Sequence, residues 1–331
     1  MRNLNIGLIA LSSPEIKGVG PSFIRKNIVT SDFFEEDVFL SIKELMLKNK
    51  KDISDEVLDN TIELAKIVIE KCDKNNITVL SIFDDQYPKK LKKIKDAPAI
   101  LYAKGNLQII ENHTICVIGT RKPNINGERI AQRVSNHYQS KSWNICNGLA
   151  DGIDQAAIHL GEQYYTNVIG VLAGGLNFNE RSTILKSTAK QANNILESGG
   201  LLVSECPPDK KEDTFSVVKS CRIQAGLADG LFLIQSSIDG GSKFTIKSFT
   251  ELNRPIAVVN PLKDDIDLID YSANRLIIDK SLDGLSIISK TKKDKIQTKQ
   301  IIVVSSKHDY ESFDSLIGDI KNDDSLTFSL F

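Results

Sequence analysis

The stretch TICVIGTRKPNINGERIAQRVSNHYQSKSWNIC, residues 114–146, contains the unit that decides the fold. It opens with a short apolar, β-branched run, continues with a polar segment of helical spacing, and closes with a second apolar run. A strand, a helix and a strand in this order form a right-handed crossover between two parallel strands. The stretch therefore predicts a parallel sheet with helices packed against it.

The same alternation of short apolar runs and helical spacing extends on both sides of this unit. The six further runs are ITVLSIF (77–83), AILYAKG (99–105), VIGVLAGG (168–175), LLVSEC (201–206), GLFLIQSS (230–237) and PIAVVN (255–260). Alternation over this length predicts an α/β fold, in which a parallel sheet has helices on both faces.

Residues 1–75 have helical periodicity and no convincing strand pattern, so they predict a small all-helical domain ahead of the sheet. Within it, IKGVGPSFI (16–24) predicts a tight connection between two helices, with Pro21 at a first helical position. Such a turn is similar to a helix-hairpin-helix, whose amides can hold a phosphate. A plain packing turn is the alternative that we favour, because one hairpin alone grips DNA weakly.

We expect three parts along the chain: the helical domain at 1–75, an α/β core at 76–290, and a linker and C-terminal tail at 291–331 without a clear winged helix. LIDYSANRLIID (268–279) could form a last strand or a helix, and IIVVSS (301–306) could add an edge strand. The acidic end of the tail resembles a docking peptide, but a frayed terminus is the simpler expectation.

Composition limits the classes of protein that remain. The 331 residues include 42 Lys and Arg and 43 Asp and Glu, which excludes a histone-like polycation and requires a local basic patch for any nucleic-acid contact. The five cysteines are widely spaced and never form CxxC, which is typical of reduced thiols in a cytoplasmic protein. No apolar run reaches the roughly 18 residues of a membrane span, and no signal-peptide pattern is present, so we expect a cytoplasmic protein without membrane contact.

Small residues collect where several predicted strands end. The segments are Gly119-Thr120-Arg121, Gly148 and the residues up to Gly152, Gly174-Gly175, and Gly240-Gly241-Ser242-Lys243. The carboxyl ends of parallel strands share one edge of a sheet, and glycine loops followed by helix N-termini favour anions there. Any one loop is explained by a tight turn. Four such loops on one edge, with positive charge from Arg121, Lys219, Arg222 and Lys243, predict an anion-binding site.

Standard nucleotide and catalytic motifs do not match this chain. The glycines that follow residue 118 lack the GxGxxG spacing, and GGSKFT (240–245) lacks the Walker A register. His159 lies in a predicted helix, and a packed, hydrogen-bonded histidine is the expectation for it. Glu205 is expected to pair with a local arginine or to cap a helix. We therefore expect no catalytic residues, no metal site and no cofactor.

Three stretches of the chain resemble the core of the DprA/Smf DNA-processing proteins. They are CVIGTRKPNINGERIAQRVSNHYQSKSWNICNGLADGIDQAAIHLG (116–161), and SGGLLVSECPP (198–208) with CRIQAGLADGLFLIQSSIDGGSKFTIKSFTELNRPIAVVNP (221–261). The lead-in YPKKLKKIKDAPAILYAKGNL (87–107) fits as well. The resemblance covers about residues 1–262 and is most specific for G-T-R and G-L-A-x-G-I-D.

The resemblance implies an extended Rossmann-like domain, preceded by a small SAM-like or helix-hairpin-helix domain. It implies a homodimer that binds single-stranded DNA through its phosphate backbone, independently of sequence, and loads it onto the recombinase RecA during natural transformation or other DNA processing. Single-strand binding needs a cationic groove with planar side chains, which Arg121, Phe215 or Phe244 could supply.

The family's site residues carry over onto two loops and one basic segment. The arginine of its G-T/S-R motif falls on Arg121, as a DNA contact, and its glycine-serine loop falls on Gly240, Gly241 and Ser242, as a phosphate cradle. Its basic segment F-P-x-R-N-R falls on residues 217–222.

The chain departs from the family pattern in that basic segment. Ser220 and Cys221 replace the first arginine and the asparagine, while Lys219 and Arg222 retain positive charge. The usual Tyr-Pro-x-x-Asn is replaced by NFNERSTIL (177–185). This pattern is typical of a divergent member of the family.

Two other classes of function remain open at this point. One is a nucleotide-binding or nucleotide-processing Rossmann protein similar to the phosphoribohydrolases, although their P-G-G-x-G-T-x-x-E string is absent from DGGSKFTIKS (239–248). The other is a defence protein that senses DNA or a nucleotide at the sheet edge. The changes at Ser220 and Cys221 keep this last alternative open.

Overall fold

The computed structural model describes residues 2–298 and 300–317. Nine strands form one sheet in the order β1-β2-β8-β7-β4-β3-β9-β10-β11, and β5 and β6 form a separate hairpin. The strands are β1 Thr78–Ser81, β2 Ile100–Gly105, β3 Thr114–Ile118, β4 Asn144–Asn147, β5 His159–Leu160, β6 Gln163–Tyr164, β7 Val168–Val171, β8 Leu201–Ser204, β9 Gly230–Leu233, β10 Ile256–Val259 and β11 Ile301–Val304.

Thirteen α-helices precede or connect these strands within the described residues. They are α1 Arg2–Leu11, α2 Pro21–Asn27, α3 Val38–Lys48, α4 Asp55–Lys74, α5 Lys89–Lys92, α6 Ile125–Gln139, α7 Ile153–Ala156, α8 Phe178–Arg181, α9 Lys186–Glu197, α10 Thr214–Leu227, α11 Ser242–Thr250, α12 Ser272–Lys280 and α13 Leu282–Ser289. None of the described helices combines the length and the hydrophobicity needed to cross a membrane.

The predicted α/β architecture is confirmed. Seven neighbouring strands, from β8 to β11, are parallel, so each pair needs a crossover and the carboxyl ends lie together. The remaining strands differ, because β1 and β2 are antiparallel to their neighbours at one edge of the sheet. The connection from β1 to β2 holds only one four-residue helix, and the chain reverses its direction across it.

Helices cover both faces of the sheet because neighbouring residues of each strand point to opposite sides. Val117 and Phe232 pack on the face that carries α6 and α9. Cys116 and Leu231 pack on the other face, against α11, α12 and α13. The α5 and α10 helices cover the rest of that second face near β8 and β7. All four strand residues are fully buried, which explains why the strands are continuous apolar runs.

The N-terminal region is helical, as the periodicity predicts, and it packs on the edge of the sheet. Buried residues of α1 and α4 share one core cluster with residues of β2. The α2 helix begins at Pro21, as predicted. The expected tight turn is wrong, because residues 12–20 separate α1 from α2 and the G-V-G segment is only the end of this connection. The local signal of Gly and Pro indicated the start of α2 but not the length of the connection.

The C-terminal part also differs from a simple linker and tail. β11 pairs in parallel with β10, from Ile301 beside Ile256 to Val304 beside Val259. Residues 309–317 are helical, and fully buried Phe313 lies so close to Gly230 that a Cβ there would collide with its ring. Residues 300–317 therefore belong to the core. The acidic tail lies mainly at 318–331, outside the described residues.

Two ambiguous segments are decided by the structure. The segment 268–279 contributes to the helix α12, and not to a strand. The helix expected to contain His159 ends at Ala156, and His159 lies instead on the two-residue strand β5, where its Nδ1 is 2.9 Å from the carbonyl oxygen of Gly161. Gly161 has a φ of +60°, which suits the turn of a hairpin and not the interior of a helix.

Candidate functional site

The order of connection in the sheet reverses between β3 and β9. The chain passes from β3 to β4 on one side of this point, and from β9 to β10 on the other. In open parallel sheets a ligand binds outside the carboxyl ends of the strands at such a point. Gly119 directly follows β3 there, and its carbonyl oxygen accepts a hydrogen bond of 3.1 Å from Ser242 Oγ at the start of α11. The structure thus joins two of the loops that the sequence singles out.

Gln235 holds the two loops together, although no motif in the sequence points to it. The Thr120 N–H donates to the Gln235 carbonyl oxygen at 2.6 Å, and the Asn124 N–H donates to Gln235 Oε1 at 3.1 Å. Gln235 is 1% exposed. A Cβ on Gly119 would lie 2.7 Å from that carbonyl oxygen, so Gly119 is required by packing between the loops. The only feature of the sequence that could have indicated Gln235 is its position as the first polar residue after the apolar run of β9.

Gly241 stands in open space at the start of α11. Its φ of −62° is accessible to any residue, and a Cβ built on it would have no atom within 4 Å. Neither backbone conformation nor packing therefore explains a glycine at this position. The first N–H groups of a helix lack intrahelical partners and carry a partial positive charge. The open space beside them admits the close approach of an anion.

Gly148 and Asp154 form a buried acidic corner after β4. Asp154 Oδ2 accepts hydrogen bonds from the Gly148 N–H at 3.1 Å and the Ala150 N–H at 3.4 Å. Burial raises the pKa of Asp154 to about 7, against the lowering effects of these two N–H groups and of the Arg121 charge. Gln224 of α10 faces the same corner, with its Nε2 3.1 Å from a Cβ built on Gly148.

Arg121 is exposed and lies between two loops of the carboxyl edge. Its charge lowers the pKa of Asp154 after β4 and also that of Glu212 after β8, where burial has the larger, raising effect. The guanidinium therefore acts on both carboxyl groups through its charge. This position is consistent with a cation that reaches an anion at the edge, in competition with those acids.

A groove of about 570 Å³ runs over α10 beside this edge. Its floor is formed by Phe215, Val218, Lys219 and Arg222, which share one face of α10. One wall is the segment 94–96, and the other wall is α11 with the end of α13. Six basic residues line the groove, against two acids, Asp96 and Glu251; the basic residues are Lys95, Lys219, Arg222, Lys243, Lys247 and Lys290.

The two basic residues of α10 are paired with the same carboxylate. Arg222 donates to Glu205 through two nitrogens, at 2.8 and 2.7 Å, and Lys219 Nζ lies 3.2 Å from Glu205 Oε2. Arg222 Nε also lies 2.8 Å from Asp96 Oδ2. The expectation that Glu205 pairs with a local arginine is confirmed. Only 11% of the Arg222 side chain is exposed, against 38% for Lys219, so Lys219 is the more accessible of the two cations.

Two of the residues that line the groove are phenylalanines. Phe215 is 74% exposed and Phe244 is 38% exposed, which is unusual for rings of this size. Lys243 Nζ lies 5.5 Å from the centre of the Phe244 ring, and Lys247 follows one turn later on the same face of α11. The groove therefore combines aromatic faces with ammonium groups.

The structure brings most of the predicted site residues into one continuous surface. Gly119, Thr120 and Ser242 meet at the switch in strand order, and Lys219, Arg222 and Lys243 line the groove. Gly148 and Arg121 lie on the β4 side of the switch. The lysines at 95, 247 and 290 are outside the set predicted from the sequence. Of these three lysines, only Lys247 could have been predicted from the sequence, because it follows Lys243 at helical spacing.

Residues 78–281 match the family model described as "DNA recombination-mediator protein A". This span is more than half of the chain, and it includes the strands β1 to β10 with the groove floor and the switch loops. The chain belongs to this family. The resemblance to the DprA/Smf proteins is thereby confirmed, and the family is one of DNA-processing proteins.

Curated relatives carry the same family names. The chain is 30% identical to "DNA processing protein DprA" of Bacillus subtilis over 187 residues, which are 56% of this chain and 61% of that protein. It is 30% identical to "Protein Smf" of Escherichia coli over 170 residues, 51% of this chain and 44% of that protein. The chain thus spans between 44% and 61% of the length of these relatives.

Two solved structures share the fold of this family member. One described as "Structural insights into the unique single-stranded DNA binding mode of DNA processing protein A from Helicobacter pylori" has a TM-score of 0.57 at 18% identity, covering 73% of this chain and 96% of that one. The DprA structure from Streptococcus pneumoniae has a TM-score of 0.55 at 22% identity, covering 88% of this chain and 95% of that one.

Proposed function

We propose that this protein binds single-stranded DNA through its phosphate backbone, without sequence preference, and passes it to a RecA-type recombinase. We further propose that it works as a homodimer in the cytoplasm and does not alter the DNA chemically. The Helicobacter pylori structure, described as one of single-stranded DNA binding, supports the choice of ligand. Membership of the recombination-mediator family supports the role in recombination.

The observation that carries this proposal is the open N-terminus of α11 beside a cationic, aromatic groove. Gly241 leaves room for a phosphate at the first amides of the helix, and Lys243 begins the groove two residues later. Phosphates and bases alternate along a single strand. A site for such a strand therefore needs anion sites and flat apolar faces side by side, as this surface has.

The strand is proposed to lie with one phosphate at Gly241 and Ser242 and the following phosphates near Lys243, Lys247 and Lys219. Bases then stack on the exposed rings of Phe215 and Phe244, which tolerate any sequence because every base has a π-face. On the other side of the switch, Arg121 is proposed to contact the backbone, near the loops that contain Thr120 and Gly148.

Arg222 has a different role in this proposal. Its guanidinium is occupied by Glu205 and Asp96, so we assign it the positioning of the groove and not a direct phosphate contact. Arg222 also neutralises Glu205, whose negative charge would otherwise be paired with Lys219 only. Lys219 is thereby left with the role of phosphate contact that the family pattern implies for this segment.

The experiment is a titration of fluorescent oligo-dT at several salt concentrations, with Gly241→Val as the decisive variant. The valine fills the open space without strain, so we expect an unchanged melting temperature and an affinity at least about tenfold weaker, or about 1.4 kcal/mol. Wild-type affinity must fall as salt rises, because bound phosphates release counterions. Unchanged binding by Gly241→Val, or salt-independent wild-type binding, contradicts the proposal.

Gly20→Val is the matched control. A Cβ built on Gly20 would also have no atom within 4 Å, and this glycine precedes α2 in the helical region. We expect this variant to bind oligo-dT like the wild type. A loss confined to Gly20→Val would instead support the helix-hairpin-helix alternative.

The role as a mediator needs a separate measurement. We expect the protein to raise the DNA-dependent ATPase rate of a RecA-type recombinase on single strands already covered by a single-strand-binding protein. Gly241→Val is expected to lose this effect. Light scattering measures the oligomeric state, and incubation with nucleoside monophosphates, followed by assay for a released base, tests the enzymatic alternative directly.

A further inference from the structure

A short segment beside the groove is dense in lysine. Residues 89–95 read KKLKKIK, with five lysines and no acid. Four of these lysines are exposed, namely Lys89, Lys92, Lys93 and Lys95. We call these four residues the lysine segment. In the sequence the stretch stands out only for its resemblance to the lead-in of the family, and the proposed function does not use it beyond the wall of the groove.

The inward side chains fix this segment on the body of the protein. Leu91 and Ile94 are buried in the core cluster that includes Ile223 and Leu227 of α10. Lys90 also turns inward, and its Nζ donates to Asp229 Oδ2 at 2.9 Å and to the Asn112 carbonyl oxygen at 3.0 Å. The lysine segment is therefore the outward side of an anchored turn, and its charges are held in place without burial.

The segment is continuous with the groove at one end. Ile94, Lys95 and Asp96 form the groove wall opposite α11. Asp96 is tied to the floor by its ion pair of 2.8 Å with Arg222 Nε. A single DNA strand lying across this wall would extend from the groove onto the lysine segment.

At the same wall the segment meets the N-terminal helical region. Arg25 Nη1 of α2 donates to the carbonyl oxygen of Ile94 at 2.6 Å. Arg25 and Lys26 are the basic residues of the last turn of α2, and Lys26 is exposed. The helical region thus adds positive charge beside the segment, and its contact with the wall keeps it there.

We propose that the lysine segment, together with Lys26, is a second backbone-binding surface, which holds the phosphates of the strand after it leaves the groove. This inference rests on the proposed function and names the path of the DNA. The density of positive charge fits a polyanion better than a single phosphate, because the exposed lysines are spread over residues 89–95 and the last turn of α2. The helical region then contributes to binding of long strands only.

The test compares oligo-dT of about 6 and about 20 nucleotides, because the site of one folded unit spans roughly 4 to 16 nucleotides. The variant is Lys89→Gln with Lys92→Gln, which leaves the groove intact. We expect its affinity for the short strand to equal that of the wild type, and its affinity for the long strand to fall about threefold to tenfold. The slope of log affinity against log salt should decrease by about 1.4 for the long strand, since each neutralised phosphate contributes about 0.7.

The matched control is Lys190→Gln with Lys307→Gln, two exposed lysines that do not line the groove. This variant removes the same charge and is expected to bind both strands like the wild type. Equal losses on both strands, or equal behaviour of the two variants on the long strand, overturn the inference. If the wild type binds neither strand, the proposed function fails instead, so the two failures are distinct.

A single substitution tests the contribution of the helical region. We expect Lys26→Gln to weaken binding of the long strand about twofold to threefold and to leave the short strand unaffected. An unchanged long-strand affinity in Lys26→Gln, with a loss in the double variant, would remove the helical region from the path. A melting curve for each variant establishes that the fold is retained.

Discussion

Arg222 and Glu205 form a two-point ion pair, with Nη1 to Oε1 at 2.8 Å and Nη2 to Oε2 at 2.7 Å. Both side chains are about nine-tenths buried. The pair joins the middle of α10 to the end of β8, and Asp96 holds the same guanidinium from the groove wall. Three separate parts of the chain are thus fixed by one arginine, and the floor of the groove depends on it.

The first prediction concerns this pair. Arg222→Gln removes the two-point partner of the buried Glu205 and leaves it only the Lys219 ammonium, 3.2 Å from Oε2, so we expect the free energy of unfolding to fall by about 3 kcal/mol. Urea denaturation followed by circular dichroism measures the change. Lys219→Gln serves as the comparison: its side chain is 38% exposed and Glu205 keeps Arg222, so we expect a loss of at most about 1 kcal/mol in stability but weaker oligo-dT binding. If Arg222→Gln keeps full stability and loses only binding, Arg222 is a DNA contact after all.

The second prediction concerns the ring of Phe215. Because 74% of it is exposed, Phe215→Ala is expected to change stability by less than about 0.5 kcal/mol. Loss of a stacked base should weaken binding of oligo-dT by about 1 to 3 kcal/mol. Leu47→Ala, at a residue of α3 that is 65% exposed, is the control and should bind normally. Equal affinities for the two variants would exclude stacking on Phe215.

The third prediction concerns the pH dependence of binding. The pKa of Asp154 is raised to about 7, so this group gains negative charge beside Arg121 as the pH rises from 6 to 8. We expect DNA affinity to decrease over this range, because the carboxylate competes with phosphate for the guanidinium. Asp154→Asn should remove most of this dependence. An identical pH profile in wild type and variant would mean that Arg121 binds DNA independently of Asp154, or not at all.

The same group affects stability with a definite sign. The folded state holds the Asp154 proton more tightly than the unfolded chain, in which an aspartate has a pKa of about 3.9. Its contribution to stability is therefore full below about pH 4 and is lost as the pH rises through about 7. Chemical denaturation should show that the free energy of unfolding differs less between pH 5 and pH 8 for Asp154→Asn than for the wild type.

The fourth prediction concerns Asp229, whose pKa is lowered in the folded protein, whereas that of Asp154 is raised. Although burial opposes them, the neighbouring His113, Lys90 Nζ at 2.9 Å and the Thr114 N–H at 2.8 Å hold the pKa of Asp229 well below its usual range. This contribution to stability is present above about pH 4 and is lost as the pH falls further. We expect Asp229→Asn to destabilise the protein by about 2 to 4 kcal/mol at pH 7.

The measurement for Asp229 is denaturation at pH 7 and pH 3. The difference in the free energy of unfolding between pH 7 and pH 3 should be smaller in Asp229→Asn than in the wild type. Asp85→Asn, at an exposed residue five positions before Lys90, should behave like the wild type at both pH values. If Asp229→Asn loses as much stability at pH 3 as the wild type does, other carboxyl groups cause the loss of stability in acid.

The strand positions could be predicted because a buried parallel strand has a local signature. The strands β3, β7, β8, β9 and β10 all lie within short apolar runs that are visible in the sequence, and β4 contains the apolar pair Ile145-Cys146 between two asparagines. The segment at 301–304 was ambiguous, since four apolar residues fit an edge strand or a linker, and only its pairing with β10 decided between them. The expected helix at His159 was wrong because the conformation of Gly161 interrupts the helical pattern.

The sequence by itself determined the class of fold and the set of glycine loops at one edge, because apolar periodicity and glycine placement act within a few residues of each other. It also indicated the family. Only the tertiary structure decided which cations face a ligand. Arg222 and Lys219 are three residues apart and look equivalent in sequence, but one is buried against Glu205 and Asp96 while the other remains accessible. Charge pairing depends on which distant elements meet, and no local pattern contains that information.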